Sequence, residues 1–135
     1  MDALRRRIVI ASKLVEARAV EDEILDHVGR LNYDDSAVFG IKLALEEGLN
    51  NAIKHGNACD PARTVEVVYD VSEKQLEVTI TDEGHGFQPD DVPDPTADEN
   101  LEKPSGRGIM LMRAYMDEVE YNKRGNRLRL VKRKS

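Results

Sequence analysis

Residues 44–57 constrain this chain more than any other part of its sequence, because they combine an apolar helical stripe with a row of functional side chains. At about 100° per residue, one sector of the helix to which they belong is apolar: Val38, Ile41, Leu45, Leu49 and Ala52. A second sector gathers a carboxylate, a carboxamide, an ammonium and an imidazole: Glu47, Asn51, Lys54 and His55. Polar residues at helical spacing usually form a solvated face, but this row follows the edge of the buried stripe and could hold a hydrated cation with its anionic ligand.

The composition of the chain bounds its class. Its 135 residues are enough for one domain with a hydrophobic core, and the absence of tryptophan predicts that this core is mainly aliphatic. A formal net charge of −6 argues against general nucleic-acid binding, which needs a basic surface. The lone Cys59 fits a reducing compartment, and the sequence shows neither a signal-peptide pattern nor a membrane-spanning stretch. We therefore expect a cytoplasmic domain without membrane association.

Hydrophobic periodicity predicts the elements of the fold. Alternating apolar and polar residues predict five strands, at residues 4–10, 64–71, 75–81, 117–122 and 127–131. Helical spacing predicts three helices: one capped by Ser12 and stopped near Gly29, one with Asp34, Asp35 and Ser36 as its N-cap and first turn and ending at Gly56, and one opening at residues 106–108. Strands joined by short hairpins with helices between them predict an α+β fold, a two-layer sandwich whose mixed, mostly antiparallel sheet carries helices on one face.

Two glycine-bearing segments follow the long helix. Asp82-x-Gly84-x-Gly86 stands at a strand end, and Asp82 continues the inward parity of that strand, so its carboxylate is expected to face the helices and to need a hydrogen-bond donor. An exocyclic amine of a ligand would supply one. Gly106-x-Gly108 precedes a helix, an arrangement that suits a polyphosphate. Each pattern alone is weak, since a bulge or tight turn explains the first equally well and the second lacks the Walker ending.

The order of the three segments is more specific than any of them alone. Together they read Glu47-x-x-x-Asn51-Ala52-x-x-His55-Gly56, Asp82-x-Gly84-x-Gly86-Phe87 and Ser105-Gly106-Arg107-Gly108-Ile109. This set resembles the GHKL ATPase superfamily of gyrases, heat-shock chaperones, histidine kinases and mismatch-repair proteins. The Asn-Ala-x-x-His-Gly form and Met116-Asp117-Glu118-Val119 are similar to its anti-sigma factor serine kinase branch. The resemblance implies one Bergerat-type ATP-binding domain over residues 1–135, with a lid at about residues 87–108 and with ATP and Mg²⁺ as cofactors.

The resemblance also implies roles for individual residues. Asn51 would ligate Mg²⁺, Glu47 would take the proton of an attacking serine hydroxyl, and Asp82 would accept a hydrogen bond from the adenine amino group. Glu46 is the other candidate base, but it projects about a quarter-turn away and pairs with Asn50. The remaining implied nucleotide-binding residues are Lys54, His55, Gly84, Gly86, Phe87, Ser105, Gly106, Arg107, Gly108 and Ile109.

The implied function is that of an anti-sigma regulator that phosphorylates a serine of an anti-anti-sigma antagonist, so the expected partners are a sigma factor and that antagonist. Relatives of this branch are often dimers, and a homodimer is the oligomer that the resemblance suggests. Two positions depart from the family pattern: Pro104 stands where family kinases often place an arginine, and the last hairpin carries Gly125-Asn126-Arg127 where many relatives have threonine or serine.

These departures leave two other functions open. One is a nucleotide-gated protein-binding module that changes partner affinity without phosphotransfer. The other is a detached catalytic half of a histidine kinase. It is less favoured because no phosphoacceptor helix pair precedes the pocket and because His27 lacks the acidic residue that usually comes immediately after a phosphoacceptor histidine.

Overall fold

A computed structural model of the chain describes residues 3–84 and 106–134, and the order of its elements follows the predicted one. The strands are β1 (Leu4–Ala11), β2 (Thr64–Val71), β3 (Gln75–Asp82), β4 (Glu118–Tyr121) and β5 (Arg127–Arg133). The helices are α1 (Leu14–Arg30), α2 (Asp35–Asn50) and α3 (Gly106–Tyr115), and a π-helix (Asn51–Gly56) extends α2. Most of the expected lid lies outside the described residues.

The five strands form one sheet in the order β1-β2-β3-β5-β4. All four strand pairings within the described residues are antiparallel, so the sheet is more regular than the mixed sheet that the sequence suggested. The fifth strand pairs with both β3 and β4, so the β4–β5 hairpin leaves β4 at the edge of the sheet. One row of this register runs from Ile80 across Leu128 to Tyr121, and cross-strand partners share a face of the sheet.

The core lies between the sheet and the helices. Strand alternation turns the side chains of Val65, Val67, Tyr69 and Val71 inward, where each is at most 1% exposed. Ile24 and Val28 of α1 and Ile41, Leu45 and Leu49 of α2 pack onto this face, while α3 packs beside α2. The predicted aliphatic α+β sandwich is thereby confirmed. Across residues 3–84 and 106–134, no helix has the length and apolarity that crossing a bilayer requires.

Ser12 does not cap α1, contrary to the prediction. The N-cap of this helix is Lys13, which makes no capping side-chain hydrogen bond. Ser12 is buried instead, where its hydroxyl donates to the Arg63 carbonyl at 3.0 Å and accepts from Asn57 Nδ2 at 2.8 Å. The hydroxyl therefore joins the start of α1 to the segment entering β2.

The long helix begins and ends where the sequence predicts. Asp34 caps α2 by accepting a hydrogen bond from the Ala37 amide at 2.7 Å. The last six helical residues form the π-helix, and the Asn57 amide continues its wider hydrogen bonding by donating to the Ala52 carbonyl at 2.8 Å. Because a π-helix closes each hydrogen bond over one more residue than an α-helix, each residue advances by less than the about 100° of an α-helix. Side chains beyond Asn51 are therefore rotated away from their expected positions.

Candidate functional site

The site forms where the end of β3 meets the π-helix. Asp82 pairs with Val65 in the register and so shares the core-facing side of the sheet, as predicted. Its side chain is buried, at 9% exposure. A Cβ atom on Gly56 would lie 2.3 Å from Asp82 Cγ, so only a residue without a side chain lets the π-helix approach this carboxylate. The motif of the long helix and the Asp82-x-Gly84 motif therefore meet at Asp82.

Gly84 strengthens this junction. A Cβ atom on Gly84 would lie 1.8 Å from the Gly56 carbonyl oxygen, which is closer than any two non-bonded atoms approach. The Gly84 amide also donates to Asp82 Oδ1 at 2.8 Å and closes a tight turn around the carboxylate. The family resemblance implied that this glycine binds the nucleotide, whereas the described contact is one between two protein backbones.

Burial raises the pKa of Asp82 to about 6, and the Gly84 amide, Arg124 and Arg63 oppose this rise only in part. A carboxylate with this pKa is short of hydrogen-bond donors and favourable charges. The Asp82 carboxylate is therefore suited to accept a hydrogen bond from a ligand.

The turn between β4 and β5 has its own internal support. Asn122 Oδ1 accepts from three amides of the turn: Gly125 at 2.7 Å, Asn126 at 3.1 Å and Arg127 at 3.2 Å. Gly125 has a φ of 81°, a left-handed conformation that glycine adopts without strain. The turn is consequently well defined before it contacts the rest of the site.

This turn holds the backbone of the Asp82-x-Gly84 motif. The Asp82 amide donates to the Asn126 carbonyl at 2.9 Å, and Asn126 Nδ2 donates back to the Asp82 carbonyl at 3.2 Å. Arg124 Nη2 donates to the Gly84 carbonyl at 3.1 Å. Asn126 stands in the hairpin that departs from the family pattern, and its side chain here fixes the motif through the backbone.

Glu47 and Asn51 project from successive turns of the long helix. Asn51 is 8% exposed, and within residues 3–84 and 106–134 its Nδ2 atom finds no hydrogen-bond partner of standard geometry. Glu47 is half-buried, and a Cβ atom on Gly108 would lie 2.5 Å from Glu47 Oε2. The first and third motifs thus meet at the first turn of α3, where the positive end of the helix dipole favours a carboxylate.

Sequence reasoning missed Tyr121 as a part of this site. Its hydroxyl is buried, and burial together with the negative charges of Asp82 and Glu47 raises the Tyr121 pKa to about 12. The Asn51 side chain and Arg113 act on this pKa in the opposite direction. The phenol therefore interacts with Asn51, Asp82 and Glu47, the three residues for which the resemblance implied functional roles. One sequence signal could have identified Tyr121. It follows Val119 on the inward-facing side of β4 and carries a polar hydroxyl where an apolar side chain is expected.

Asn57 is the second residue that sequence reasoning missed. It is fully buried, and its Oδ1 accepts from the Glu83 amide at 2.8 Å. Its Nδ2 donates to Ser12 Oγ at 2.8 Å and to the Thr64 carbonyl at 2.9 Å. One carboxamide thereby ties the end of the π-helix to β2 and to the residue after Asp82. Nothing in the sequence apart from its place after Gly56 distinguishes this asparagine.

Lys54 is not brought together with Glu47 and Asn51. It lines a cavity of about 250 Å³ between α1 and α2, where its neighbours include Glu21, Glu46 and Asn50. The rotation introduced by the π-helix accounts for this difference from a straight α-helix. His55 is half-buried beside Gly56 at the end of the π-helix.

The same cavity contains a pair of carboxyl groups. Glu21 of α1 is 7% exposed, and burial, the charge of Glu46 and a hydrogen bond with Glu46 raise its pKa to about 7. Lys42 lowers this pKa, and Asp22 raises it slightly. Glu46 therefore supports the α1–α2 contact rather than the site around Asp82.

The remaining predicted site residues are distributed as follows. Ile109 is buried in the core at 5% exposure, and Gly106 and Arg107 open α3. Gly86, Phe87 and Ser105 lie outside the described residues, as does the side chain of Arg107.

Comparison with known proteins agrees with the fold. The anti-sigma F factor of Clostridium perfringens is 31% identical over 98 residues, which are 70% of this chain and 69% of that protein. The serine-protein kinase RsbW of Bacillus subtilis is 33% identical over 98 residues, which are 67% of this chain and 60% of that protein.

A solved structure, that of the RsbU and RsbW domains of Rv1364c from Mycobacterium tuberculosis, has the same fold. It superposes with a TM-score of 0.61 at 16% identity over 96% of this chain and 32% of that one. The family described as the histidine kinase-like ATPase domain matches residues 10–132. Because this match spans nearly all of the sequence, the chain belongs to the histidine kinase-like ATPase domain family.

Proposed function

We propose that this protein binds ATP with Mg²⁺ and acts as an anti-sigma regulatory factor that phosphorylates a serine of an anti-anti-sigma antagonist. The observation that carries the proposal is the junction of the three motifs, in which Asp82, Gly56 and Gly84 touch one another and Glu47 lies against Gly108. The relatives named as an anti-sigma F factor and as a serine-protein kinase support the same function. A sigma factor and an antagonist protein are the proposed partners.

Asn51 fits the Mg²⁺ of a bound nucleotide. Its carboxamide is buried at 8% exposure and carries an oxygen, Oδ1, which is the end of the group that can bind a cation. Mg²⁺ takes oxygen ligands, keeps several waters and is commonly held by one or two side chains together with phosphate oxygens. When bound, the ion neutralises phosphate charge and aligns the terminal phosphoryl group for transfer.

Glu47 is the proposed general base. Its carboxylate would accept the proton of the substrate serine as the serine oxygen bonds to the γ-phosphorus and the bond to the β-phosphate oxygen breaks, releasing ADP. The contact with Gly108 places this carboxylate at the first turn of α3, where backbone amides can also receive phosphate oxygens. The base would then lie beside the phosphoryl group that the serine attacks.

Asp82 is the proposed contact to adenine. A buried carboxylate with a raised pKa gains from a neutral donor such as an exocyclic amino group. The β4–β5 turn and Gly84 hold its backbone in place. Several other expectations stay predictions. They are a cytoplasmic location, a homodimer, the absence of nucleic-acid binding, and nucleotide contacts from His55, Gly86, Phe87, Ser105, Gly106 and Arg107.

One sequence feature favours a second candidate, a nucleotide-gated binding module without transfer. Pro104 replaces the arginine that family kinases often place before the third motif, and it removes a cation that could stabilise charge in the transition state. In this case nucleotide binding alone would change the affinity for a protein partner.

The deciding experiment incubates the protein with Mg²⁺, ATP labelled at its γ-phosphate, and an anti-anti-sigma protein of the same organism. We expect label on serine with the wild type, and loss of label but not of ATP binding with Glu47→Gln. Glu46→Gln is the matched control, because it makes the same chemical change in the α1–α2 cavity. If the wild type binds ATP but no serine is labelled, the kinase is rejected in favour of the binding module.

A further inference from the structure

Two buried polar atoms belong to the centre of the site. Asn51 Nδ2 and the Tyr121 hydroxyl are both inaccessible to solvent. Tyr121 ends β4 in the row that begins at Ile80 and crosses Leu128, so its side chain points to the helix-covered face of the sheet. The Asn51 side chain acts on the Tyr121 hydroxyl as a hydrogen-bond donor does, because it lowers the pKa of the phenol.

An aliphatic or phenylalanine side chain would fill this row without burying a hydroxyl. The neighbours of Tyr121 in the sheet, Leu128 and Val119, are apolar. Burying a hydroxyl group costs free energy unless it gains a hydrogen bond. A tyrosine hydroxyl is neutral at physiological pH. A neutral phenol oxygen can accept a hydrogen bond from an amide.

A carboxamide ligand has an orientation problem that a carboxylate does not have. Its two ends are an oxygen, which can bind a cation, and an amino group, which cannot. Side chains that hydrogen-bond to metal ligands fix the ligand orientation, and losing such a partner typically weakens metal binding about 10- to 100-fold. An acceptor next to Nδ2 would hold the amino end and leave Oδ1 for the ion.

We propose that Tyr121 is a positioning residue, whose hydroxyl oxygen accepts a hydrogen bond from Asn51 Nδ2 and so presents Asn51 Oδ1 to the Mg²⁺ of bound ATP. The role of Tyr121 toward the ion rests on the proposed function, whereas the hydrogen bond itself does not. Tyr121 acts through Asn51 and does not touch the nucleotide.

The test compares Tyr121→Phe with Tyr33→Phe. Tyr33 is a matched control because it is 5% exposed and its hydroxyl also makes one hydrogen bond, to the Ser72 carbonyl at 2.7 Å between β2 and β3. Titration of Mg²⁺ against ATP binding should show a half-saturating Mg²⁺ concentration raised about tenfold or more in Tyr121→Phe and unchanged in Tyr33→Phe. ATP affinity measured in EDTA should stay the same in both variants.

A second readout needs no ligand. The side-chain amide resonances of Asn51, identified by their absence in Asn51→Ala, should shift in Tyr121→Phe and not in Tyr33→Phe. Either unchanged resonances or an unchanged Mg²⁺ midpoint would overturn the proposal. If Tyr121→Phe does not fold, Tyr121→Leu takes its place and the same two shifts are required.

The outcomes separate this inference from the proposed function. A wild type that binds no ATP at any Mg²⁺ concentration rejects the proposed function, and the proposed role toward the ion falls with it. A wild type that binds ATP with Mg²⁺, beside a Tyr121→Phe variant with the same midpoint, rejects the inference alone.

Discussion

Gly84 and Gly56 are in direct backbone contact: a Cβ atom on Gly84 would lie 1.8 Å from the Gly56 carbonyl oxygen. This contact joins the end of β3 to the end of the π-helix and places the Asp82 carboxylate between them. The close approach of the two segments therefore requires a residue without a side chain at both Gly56 and Gly84. A ligand bound at Asp82 would meet a surface that the packing of the two backbones has already shaped.

Gly84→Ala should destabilise the protein and abolish nucleotide binding. The added methyl group has no space, and because the obstructing atoms belong to backbone, relief requires β3 and the π-helix to separate. Overpacking typically costs about 1–3 kcal/mol, and we expect a loss of about 3 kcal/mol here because the obstruction is backbone. Urea unfolding measures the loss of stability.

Gly29→Ala is the control for this variant. Gly29 lies in α1 with nothing within 4 Å of an added Cβ atom, so alanine should stabilise the protein by about 0.5–1 kcal/mol through helix propensity. A Gly84→Ala variant as stable as the wild type would show that the two backbones can separate without cost.

Asn57→Ala should be among the most destabilising single substitutions of a polar residue in this chain. It removes hydrogen bonds to Ser12 Oγ, which is buried, and to the Glu83 amide and the Thr64 carbonyl, which are part-buried. A buried group left unsatisfied costs about 1–3 kcal/mol and part-buried groups cost less, so we expect a total loss of about 2–3 kcal/mol. Denaturant unfolding measures the loss.

Asn50→Ala is the comparison for Asn57→Ala, because Asn50 is only half-buried in the last turn of α2. We expect a change within about 0.5 kcal/mol there. Equal effects of the two variants would mean that the hydrogen bonds of Asn57 do not stabilise the junction.

Glu21 should make the protein less stable as the pH rises through neutrality. Its pKa is raised from 4.5 to about 7 in the folded state, so folding favours the protonated carboxyl. The stability that this proton contributes is complete below about pH 4.5 and is lost as the pH rises through about 7. Glu21→Gln keeps a neutral group, so we expect it to stabilise the protein at pH 8 by about 1 kcal/mol, a value reduced for solvent screening.

The pH dependence of unfolding checks this prediction. Glu21→Gln should match the wild type near pH 4.5, and its advantage should appear only as the pH rises. Asp82, whose pKa is raised from 3.8 to about 6, contributes in the same direction in both proteins at lower pH. Asp26→Asn, in an exposed ion pair with Arg30, should change stability by less than about 0.5 kcal/mol at any pH. The prediction fails if Glu21→Gln shows the same advantage at pH 4.5 as at pH 8.

The sequence predicted what depends on periodicity and failed where a local irregularity intervened. The alternation of inward and outward side chains in β3 correctly predicted that Asp82 points inward, because successive side chains of a strand point to opposite faces up to its last residue. Helical periodicity placed Lys54 beside Glu47, and the π-helix moved it to the α1–α2 cavity. No residue type marks where an α-helix widens, so this rotation could not be read from composition or spacing.

Long-range polar contacts were the other missing part. The bonds of Asn57 join segments that are 7, 26 and 45 positions apart, and the sequence contains no pattern that pairs them. Tyr121 is brought to Asn51 only through the strand order β3-β5-β4, which places a late edge strand over an early helix. The sequence was therefore sufficient to locate the motif residues. The residues that support them, Asn57 and Tyr121, could be identified only once the strand order was known.

Gly108→Ala should separate catalysis from folding. A Cβ atom there would lie 2.5 Å from Glu47 Oε2, but that atom is the end of a flexible side chain, so Glu47 can move aside at small cost. Alanine also favours the helical conformation of α3, and we expect stability to change by less than about 1 kcal/mol. Displacement of the proposed base by about 1 Å can lower the rate of transfer up to about 100-fold. Measurements of kcat for serine phosphorylation and of ATP affinity should therefore show a fall in the first and little change in the second. A Gly108→Ala variant with unchanged kcat would mean that the position of Glu47 against α3 does not matter for transfer.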